Sequence, residues 1–139
     1  MDAVQELSRY DANLLVIGNT DSPLFPPELI PYTKRVKVGR GLINVNFLVN
    51  YGWEWDLNHS LENRSSEKQR LSQRIASCDI SRIDLIIRWG DRRRLSGFLP
   101  VQSIYADFYV LDKMWPDYSP EDLYQALDWY QNQDVTLGG

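Results

Sequence analysis

The chain is poor in the two residues that most often cross-link a fold or hold a transition metal. Its 139 residues include one cysteine, Cys78, and one histidine, His59. A single cysteine excludes an intrachain disulfide and a metal site built from several thiolates, and it is typical of a reducing compartment. Because His59 stands alone in a polar stretch, we interpret it as an ordinary surface residue.

The sequence also has no long apolar run and no excess of positive charge. No signal peptide, transmembrane stretch or lipidation motif is visible, so we expect a cytoplasmic protein. The net charge is −4 and the pI is near 4.9. This acidic balance predicts no general affinity for nucleic acid or for an acidic membrane surface.

Positive charge is instead concentrated in one stretch. Five arginines fall within thirteen positions: Arg82, Arg88, Arg92, Arg93 and Arg94. Such a cluster on an acidic protein favours a small anionic ligand over a polyanion. Arg88 follows an apolar run over residues 83–87, Ser96 closes the cluster, and Asp107 precedes a second apolar run over residues 108–111. This arrangement is suited to holding a diphosphate, with a divalent metal near the carboxylate.

The apolar pattern predicts a single α/β domain over residues 1–139. Four short runs have the composition of strands: residues 14–17, 43–49, 83–87 and 108–111. Since helical or long connections separate them, we predict a parallel sheet of about four strands flanked by helices. Ligands of such sheets bind at the carboxyl ends of the strands, where Asn50, Gly52 and Arg88 stand.

The connecting segments have helical or irregular patterns. The sequence predicts an amphipathic helix over residues 2–10, a helical turn from Pro27, a loop or frayed helix start over residues 57–65, and a last helix from Ser119. Capping-box spacing over residues 66–69 predicts a further helix. Its buried face would carry Leu71, Ile75 and Cys78, which makes Cys78 a predicted core thiol.

Three stretches of the chain match a family pattern. They read, in order, NLLVIGNTDSPL, LINVNFLVNYGWEWDL and DLIIRWGDRRRLSGFLPVQSIYADFYVLDKMWPDY. They resemble the C-terminal half of cis-prenyltransferases, the undecaprenyl diphosphate synthase family, which has I-G-D, N-Y-G-G-R and R-T-G-G-E-x-R-L-S-N-F-L-L-W-Q at these places. The resemblance covers nearly the whole chain and implies a truncated cis-prenyltransferase-like fold.

The resemblance implies roles for individual residues. Arg88, Arg94 and Ser96 match the positions that hold the diphosphate of isopentenyl diphosphate, and Asn50 and Gly52 match the strand-end turn that lines the same pocket. Guanidinium groups form bidentate, charge-assisted bonds to phosphate oxygens, which suits this role.

The resemblance also implies a metal. Asp107 stands where the family has a Glu that helps to bind Mg²⁺, and the shorter acid has about one methylene less reach. We therefore expect Mg²⁺ to accompany any ligand binding or activity that this chain retains.

The chain departs from the family pattern in several places. It has no counterpart of the D-G-N-[GR]-R-W and F-S-x-E-N-W segments of the family's N-terminal half. The family's N-Y-G-G-R turn here carries Trp53 and Glu54, and its R-T-G-G-E turn carries Trp89 and Asp91 followed by Arg92. The C-terminal R-x-G motif has lost its Arg. We therefore assign no catalytic residue.

These comparisons predict a cis-prenyltransferase-like protein of polyprenyl diphosphate synthesis that keeps the isopentenyl diphosphate-binding half and is inactive alone. It would act as a non-catalytic or split subunit, as a homodimer or as a heterodimer with a full-length cis-prenyltransferase, and would reach membranes only peripherally, through that partner. The alternative is a stand-alone binding domain for a phosphate-bearing metabolite.

Overall fold

The computed structural model describes residue 6, residues 9–62 and residues 69–134. The chain divides into two compact units, Met1–Ile80 and Ser81–Gly139, and each is described here by itself. The expectation of a single domain over residues 1–139 stays a prediction. The helix expected over residues 2–10 lies mostly outside the described residues.

The first unit is built on a three-stranded sheet. Strands β1 (Ala12–Ile17) and β3 (Ile43–Leu48) run parallel over their whole length. The short strand β2 (Val36–Lys37) pairs antiparallel with the beginning of β1, and a 3₁₀ helix over Pro27–Tyr32 lies between them in the chain. The helical turn predicted from Pro27 is therefore confirmed.

The core of this unit lies against β1. Strand β1 is almost wholly buried, as expected for a run of Leu, Val and Ile in the middle of a sheet. Partly buried side chains pack against Ala12 and Leu14: Leu29, Tyr32, Val38, Val45 and Phe47.

Helix α1 (Trp53–Glu62) follows the last strand of the first unit. The backbone N–H of Asp56 donates to the carbonyl of Gly52, so the helix begins immediately after that glycine. Of the two interpretations of residues 57–65, a loop or a frayed helix start, the loop is wrong over residues 57–62, which are helical, and the helix begins earlier, at Trp53. The polar composition of residues 57–62 did not indicate a helix, because the helix is fixed to the rest of the unit through one buried acid, Asp56.

The helix predicted with Leu71, Ile75 and Cys78 on its buried face was also wrong. A single 3₁₀ turn, Leu71–Gln73, is followed by further turns, and Cys78 is exposed. The reason is a competing set of hydrogen bonds: the N–H groups of residues 76 and 77 donate to the carbonyl and carboxylate of Asp56. The predicted cap at residues 66–69 lies largely outside the described residues.

The second unit contains one parallel pair and one long helix. Strands β4 (Leu85–Arg88) and β5 (Asp107–Val110) pair in register, and helix α2 (Pro120–Gln131) follows a 3₁₀ turn, Trp115–Asp117. Ser119 and Asp122 form a capping box at the start of α2. The helix predicted from Ser119 is therefore confirmed.

All four predicted strands are present, and they form two parallel pairs. In the described part of the chain these pairs belong to a three-stranded and a two-stranded sheet, β2-β1-β3 and β4-β5. Strand β2 was not predicted, because two residues are too short to show alternation. Of the helices in the described residues, none has the length and apolar character needed to cross a bilayer.

Candidate functional site

The turn after β4 contains the arginines that the sequence predicts as diphosphate ligands. Arg88 ends the strand and is half-buried, and its Nη1 lies 3.5 Å from the carbonyl oxygen of Leu95, at the limit for a hydrogen bond. This contact folds the turn back so that Arg94 and Ser96, both exposed, flank the residue that Arg88 touches. Three of the predicted diphosphate ligands therefore lie on one short loop.

The backbone of this loop is held in an uncommon conformation. Gly90, Asp91, Ser96 and Gly97 all have φ between 52° and 75°. Ser96 pays a steric cost of about 1–2 kcal/mol for a left-handed φ. The N–H groups of Gly90 and Asp91 donate at 2.9 Å to carbonyls that follow β5, which anchors the first half of the loop.

The loop is strongly positive. Residues 88–96 contain four arginines and one aspartate, which leaves three net positive charges. Asp91 pairs with Arg93 at 3.3 Å. Arg92 and Arg94 form no ion pair within the described part of the chain, so their guanidinium groups are available to an anion.

Asp107 lies at the opposite end of this sheet. It is the first residue of β5 and stands opposite Leu85, whereas Arg88 stands opposite Val110. Three residues of a parallel strand span roughly 10 Å, so the backbone of Asp107 is that far along the sheet from the arginine turn. The parallel register, which the sequence does not specify, separates the acid from the cations.

The residues around Asp107 do not form a resident Mg²⁺ site. Among the described residues, no cluster of three or more His, Cys, Asp or Glu side chains is placed to hold a metal ion. Protein-bound Mg²⁺ is held by one or two carboxylates together with substrate phosphates and water. Asp107 supplies one carboxylate, so a metal would have to arrive with its phosphate ligands.

Asn50 and Gly52 lie in the first unit. Asn50 has a φ of 51°, and its Nδ2 donates to the carbonyl of Asn19 at 3.1 Å, while the N–H of Asn19 donates back to Asn50 at 3.2 Å. This pair ties together the carboxyl ends of β1 and β3. The amide of Asn50 is thus already engaged, and Gly52 has open space around its Cα.

At the start of α1, Glu54 stands where the family pattern has an Arg. Glu54 and Asp56 both stand in the first helical turn, where they stabilise the helix by their interaction with its dipole. An exposed Glu54 opposes the binding of an anion next to Gly52. Of the two candidate regions, the arginine turn is therefore the more favourable for a phosphate.

Sequence reasoning missed two residues that line a cavity. Trp55 and His59 are one helical turn apart on α1, and both line a cavity of about 230 Å³ at the carboxyl end of β1. His59 is half-buried, which corrects its interpretation as an ordinary surface residue. The i, i+4 spacing of Trp55 and His59 places them on one face only if residues 53–62 form a helix, which the sequence pattern did not predict.

Three aromatic residues of the second unit form a cluster that includes Trp89, the residue after Arg88 in the chain. Trp89 meets Trp115 and Tyr118 edge-on, with ring centroids 5.2 and 5.5 Å apart, and Trp115 stacks on Tyr118 at 5.5 Å. Trp89 stands where the family has a small residue. The Trp89 ring adds a third member to the stacked pair of Trp115 and Tyr118.

A family model described as "Putative undecaprenyl diphosphate synthase" matches residues 1–138. The chain belongs to the undecaprenyl diphosphate synthase family. The resemblance noted in the sequence is thereby confirmed.

Curated relatives agree with this membership of the undecaprenyl diphosphate synthase family. The chain is 29% identical over 151 residues to the (2E,6E)-farnesyl-diphosphate-specific ditrans,polycis-undecaprenyl-diphosphate synthase of Escherichia coli K12, covering 98% of this chain and 59% of that protein. The synthase of the same name from Buchnera aphidicola is 29% identical over 152 residues, with 98% and 60% covered. The chain thus spans about three fifths of the length of these relatives.

The fold agrees with that of a solved family structure. A probable undecaprenyl diphosphate synthase from Campylobacter jejuni superposes with a TM-score of 0.74 at 19% identity, covering 99% of this chain and 68% of that one. This likeness confirms the predicted α/β, truncated cis-prenyltransferase-like fold.

Proposed function

We propose that this polypeptide is the diphosphate-binding part of a cis-prenyltransferase-like protein of polyprenyl diphosphate synthesis. It binds isopentenyl diphosphate, or a closely related diphosphate, and does not elongate a prenyl chain by itself. The observation that carries the proposal is the turn after β4, where the Arg88 guanidinium contacts the carbonyl of Leu95, the residue that lies between Arg94 and Ser96 in the chain.

The charge on the turn supports a diphosphate as the ligand. A bound diphosphate would meet three net positive charges over residues 88–96 and two guanidinium groups that form no ion pair among the described residues. Charge-assisted bonds of this kind contribute roughly 1.5–3 kcal/mol each. The hydroxyl of Ser96 adds a neutral donor at the same place.

Departures within the matched motifs support the absence of elongation. Elongation requires two diphosphates held so that one ionises while the double bond of the other attacks, and positioning and charge neutralisation provide much of such a rate enhancement. Here Glu54 replaces a cation at the start of α1, and Trp53 and Trp89 replace small residues. We expect the second diphosphate to be held by another polypeptide or by sequence beyond these 139 residues.

Mg²⁺ belongs to this proposal as an ion that the diphosphate brings. Because Asp107 stands roughly 10 Å along the sheet from the arginine turn, its carboxylate would contact the ion through a bridging water, and the direct ligands would be phosphate oxygens and water.

The partner in this proposal is a second copy of the chain or a full-length cis-prenyltransferase. The complex would work in the cytoplasm and reach the membrane only through that partner.

Calorimetric titration with isopentenyl diphosphate, with and without Mg²⁺, tests the proposal. We expect saturable binding that Arg88→Ala weakens roughly 10–100-fold, because one charge-assisted contact is lost. Arg93→Ala is the matched control, since Arg93 lies in the same turn but pairs with Asp91. It should change the affinity by less than about threefold.

Other ligands and outcomes discriminate between the candidate functions. Equal affinity for inorganic diphosphate would favour the alternative of a binding domain for a phosphate-bearing metabolite, because the isoprenoid part would then contribute nothing. No binding at millimolar ligand, or equal losses in Arg88→Ala and Arg93→Ala, would contradict a diphosphate site on this turn.

A further inference from the structure

The antiparallel pair β1–β2 opens into a cavity. Its register pairs Asn13 with Lys37 and Leu14 with Val36, and it stops there. A continued ladder would place residues 35 and 33 opposite residues 15 and 17. Instead these four residues line a cavity of about 290 Å³, so the chain before β2 has moved away from β1.

The wall of this cavity is cationic. Lys34 and Arg35 contribute two positive charges and Asp79 one negative charge, which leaves one net positive charge. Asp79 contacts one side of the Arg35 guanidinium. Nη2 of Arg35 donates to the backbone carbonyl of Asp79 at 3.0 Å, and Nε of Arg35 lies 3.6 Å from the carboxylate of Asp79. The side chain of Asp79 is 66% exposed and that of Arg35 is 22% exposed.

One nitrogen of Arg35 lacks an acceptor. Its Nη1 is buried, and nothing in the described part of the chain accepts a hydrogen bond from it. A buried charged donor without a partner is unfavourable, so an acceptor supplied by a ligand would be stabilised there.

A second cavity adjoins the first. The cavity of about 230 Å³ that contains Trp55 and His59 shares three lining residues with the cationic one: Ile17, Thr33 and Ala76. The shared part offers two apolar side chains and one hydroxyl. Together the cavities are lined by Lys34 and Arg35 at one end, by the apolar side chains of Ile17 and Ala76 in the middle, and by the indole ring of Trp55 at the other end.

We propose that the two cavities form one binding site for an amphipathic organic anion. Its phosphate or carboxylate head lies at Lys34 and Arg35, and its apolar body passes Ile17 and Ala76 to reach Trp55. The site consists only of residues of the first unit, and none of them belongs to the arginine turn after β4.

The amphipathic character follows from the arrangement of the walls. Inorganic phosphate would satisfy the cationic end and leave the apolar floor in water, whereas a neutral hydrocarbon would leave the buried donor of Arg35 without an acceptor. A molecule with an anionic head and a short apolar chain satisfies both ends.

Fluorescence titration of the full chain tests whether the cavities act as one site. The probes are hexyl phosphate, hexanoate and inorganic phosphate, and the signal is the part of the tryptophan emission that disappears in Trp55→Phe. Trp55 lines one cavity and Arg35 the other. A Trp55 signal whose midpoint depends on Arg35 therefore requires a ligand that spans both.

We expect saturation by hexyl phosphate or hexanoate, with the stronger of the two identifying the head group, and a midpoint at least tenfold higher in Arg35→Ala. Arg40→Ala is the matched control, because Arg40 is exposed and pairs with Asp11 away from the cavity. Its midpoint should stay within twofold of that of the unaltered chain. Inorganic phosphate should give no Trp55 signal.

Blocking the shared region provides an independent test. Ala76→Leu and Thr33→Leu each place a larger side chain where the cavities meet. Either variant that keeps the unaltered chain's circular dichroism should lose the Trp55 signal of the probe that saturates the unaltered chain. A missing or non-saturating Trp55 signal, an unchanged midpoint in Arg35→Ala, or a full signal in both blocked variants would overturn the proposal.

Discussion

Asp56 is the most heavily bonded buried acid of the first unit. It is 1% exposed, and its carboxylate accepts hydrogen bonds from the N–H of Ser77 at 2.8 Å, the Oγ of Ser77 at 2.6 Å and the hydroxyl of Tyr51 at 2.8 Å. One side chain thereby joins the turn before α1, the helix itself and the segment that precedes Ile80. Its hydrogen bonds to residues 76 and 77 hold the segment 71–80 in turns in place of a helix.

Asp56→Ala should lower the free energy of unfolding by about 3 kcal/mol, because it removes a charged acceptor from a buried network. Urea unfolding followed by circular dichroism measures the change. Glu54→Ala is the control, since Glu54 is exposed on the same helix and should change the free energy by less than about 0.5 kcal/mol. Equal effects of the two variants would contradict this role of Asp56.

Two glycines at strand ends differ in the space around them. A Cβ on Gly18 would overlap the carbonyl oxygen of Val49, whereas a Cβ on Gly52 would meet nothing within 4 Å. Gly18→Ala should therefore force β1 and β3 apart at their carboxyl ends and lower the unfolding free energy by at least about 2 kcal/mol. Gly52→Ala should change it by less than about 1 kcal/mol. Thermal unfolding of the two variants side by side checks the contrast, which a similar melting temperature in both would disprove.

At the scale of elements, helix α2 depends on an acid at its first turn. Asp122 accepts a hydrogen bond from Lys113 Nζ at 2.7 Å and from the N–H of Ser119 at 2.8 Å. Lys113, followed by the Ser119 backbone, lowers the pKa of Asp122 below its usual value. The helix terminus is therefore coupled to the segment just after β5.

This lowered pKa predicts a pH dependence. Since the folded chain holds Asp122 ionised more strongly than the unfolded chain does, its contribution to stability is complete above about pH 4 and is lost as the pH falls through the lower, folded pKa. Asp122→Asn should therefore lose less stability between about pH 5 and about pH 3 than the unaltered chain. Melting temperatures measured across that range check it.

Lys113→Met should reproduce part of this effect, because it removes the largest cause of the pKa shift. If both variants lost stability with falling pH as steeply as the unaltered chain, the coupling would be disproved.

At the scale of the whole molecule, the second unit leaves much apolar surface exposed. Helix α2 presents Leu123, Tyr124 and Leu127, whose exposure ranges from 39% to 67%, and Trp115 is 63% exposed. Several large apolar side chains exposed on one helix favour an interface with a partner. Leu123 and Leu127 are one helical turn apart on the same side of α2, and a partner would provide packing for that side.

The chain alone should be a dimer in light scattering at micromolar concentration, and Leu127→Lys should shift it toward the monomer. Leu24→Lys is the control, since Leu24 is 78% exposed in the first unit and should leave the mass unchanged. A chain that stays monomeric alone and with a full-length cis-prenyltransferase would contradict both forms of the partner proposal.

Local patterns predicted the strands and the last helix. The strands begin or end within two residues of the runs found in the sequence, because a stretch of β-branched and Leu residues favours the extended, paired conformation. Helix α2 begins where expected because Ser119, Pro120 and Asp122 act within one turn. Helix α1 and residues 71–80 were misjudged, since both depend on one buried acid that contacts a residue twenty-one positions away.

The sequence by itself determined the family, the order of the strands along the chain and the arginine turn after β4, because each rests on neighbouring residues. Only the tertiary structure decided the rest. The parallel register places Asp107 at the far end of the sheet from Arg88, and the opening of β1 from β2 creates the cavities that Arg35 and Trp55 line. Register and strand separation depend on which surfaces pack together, and that packing joins residues far apart in the chain.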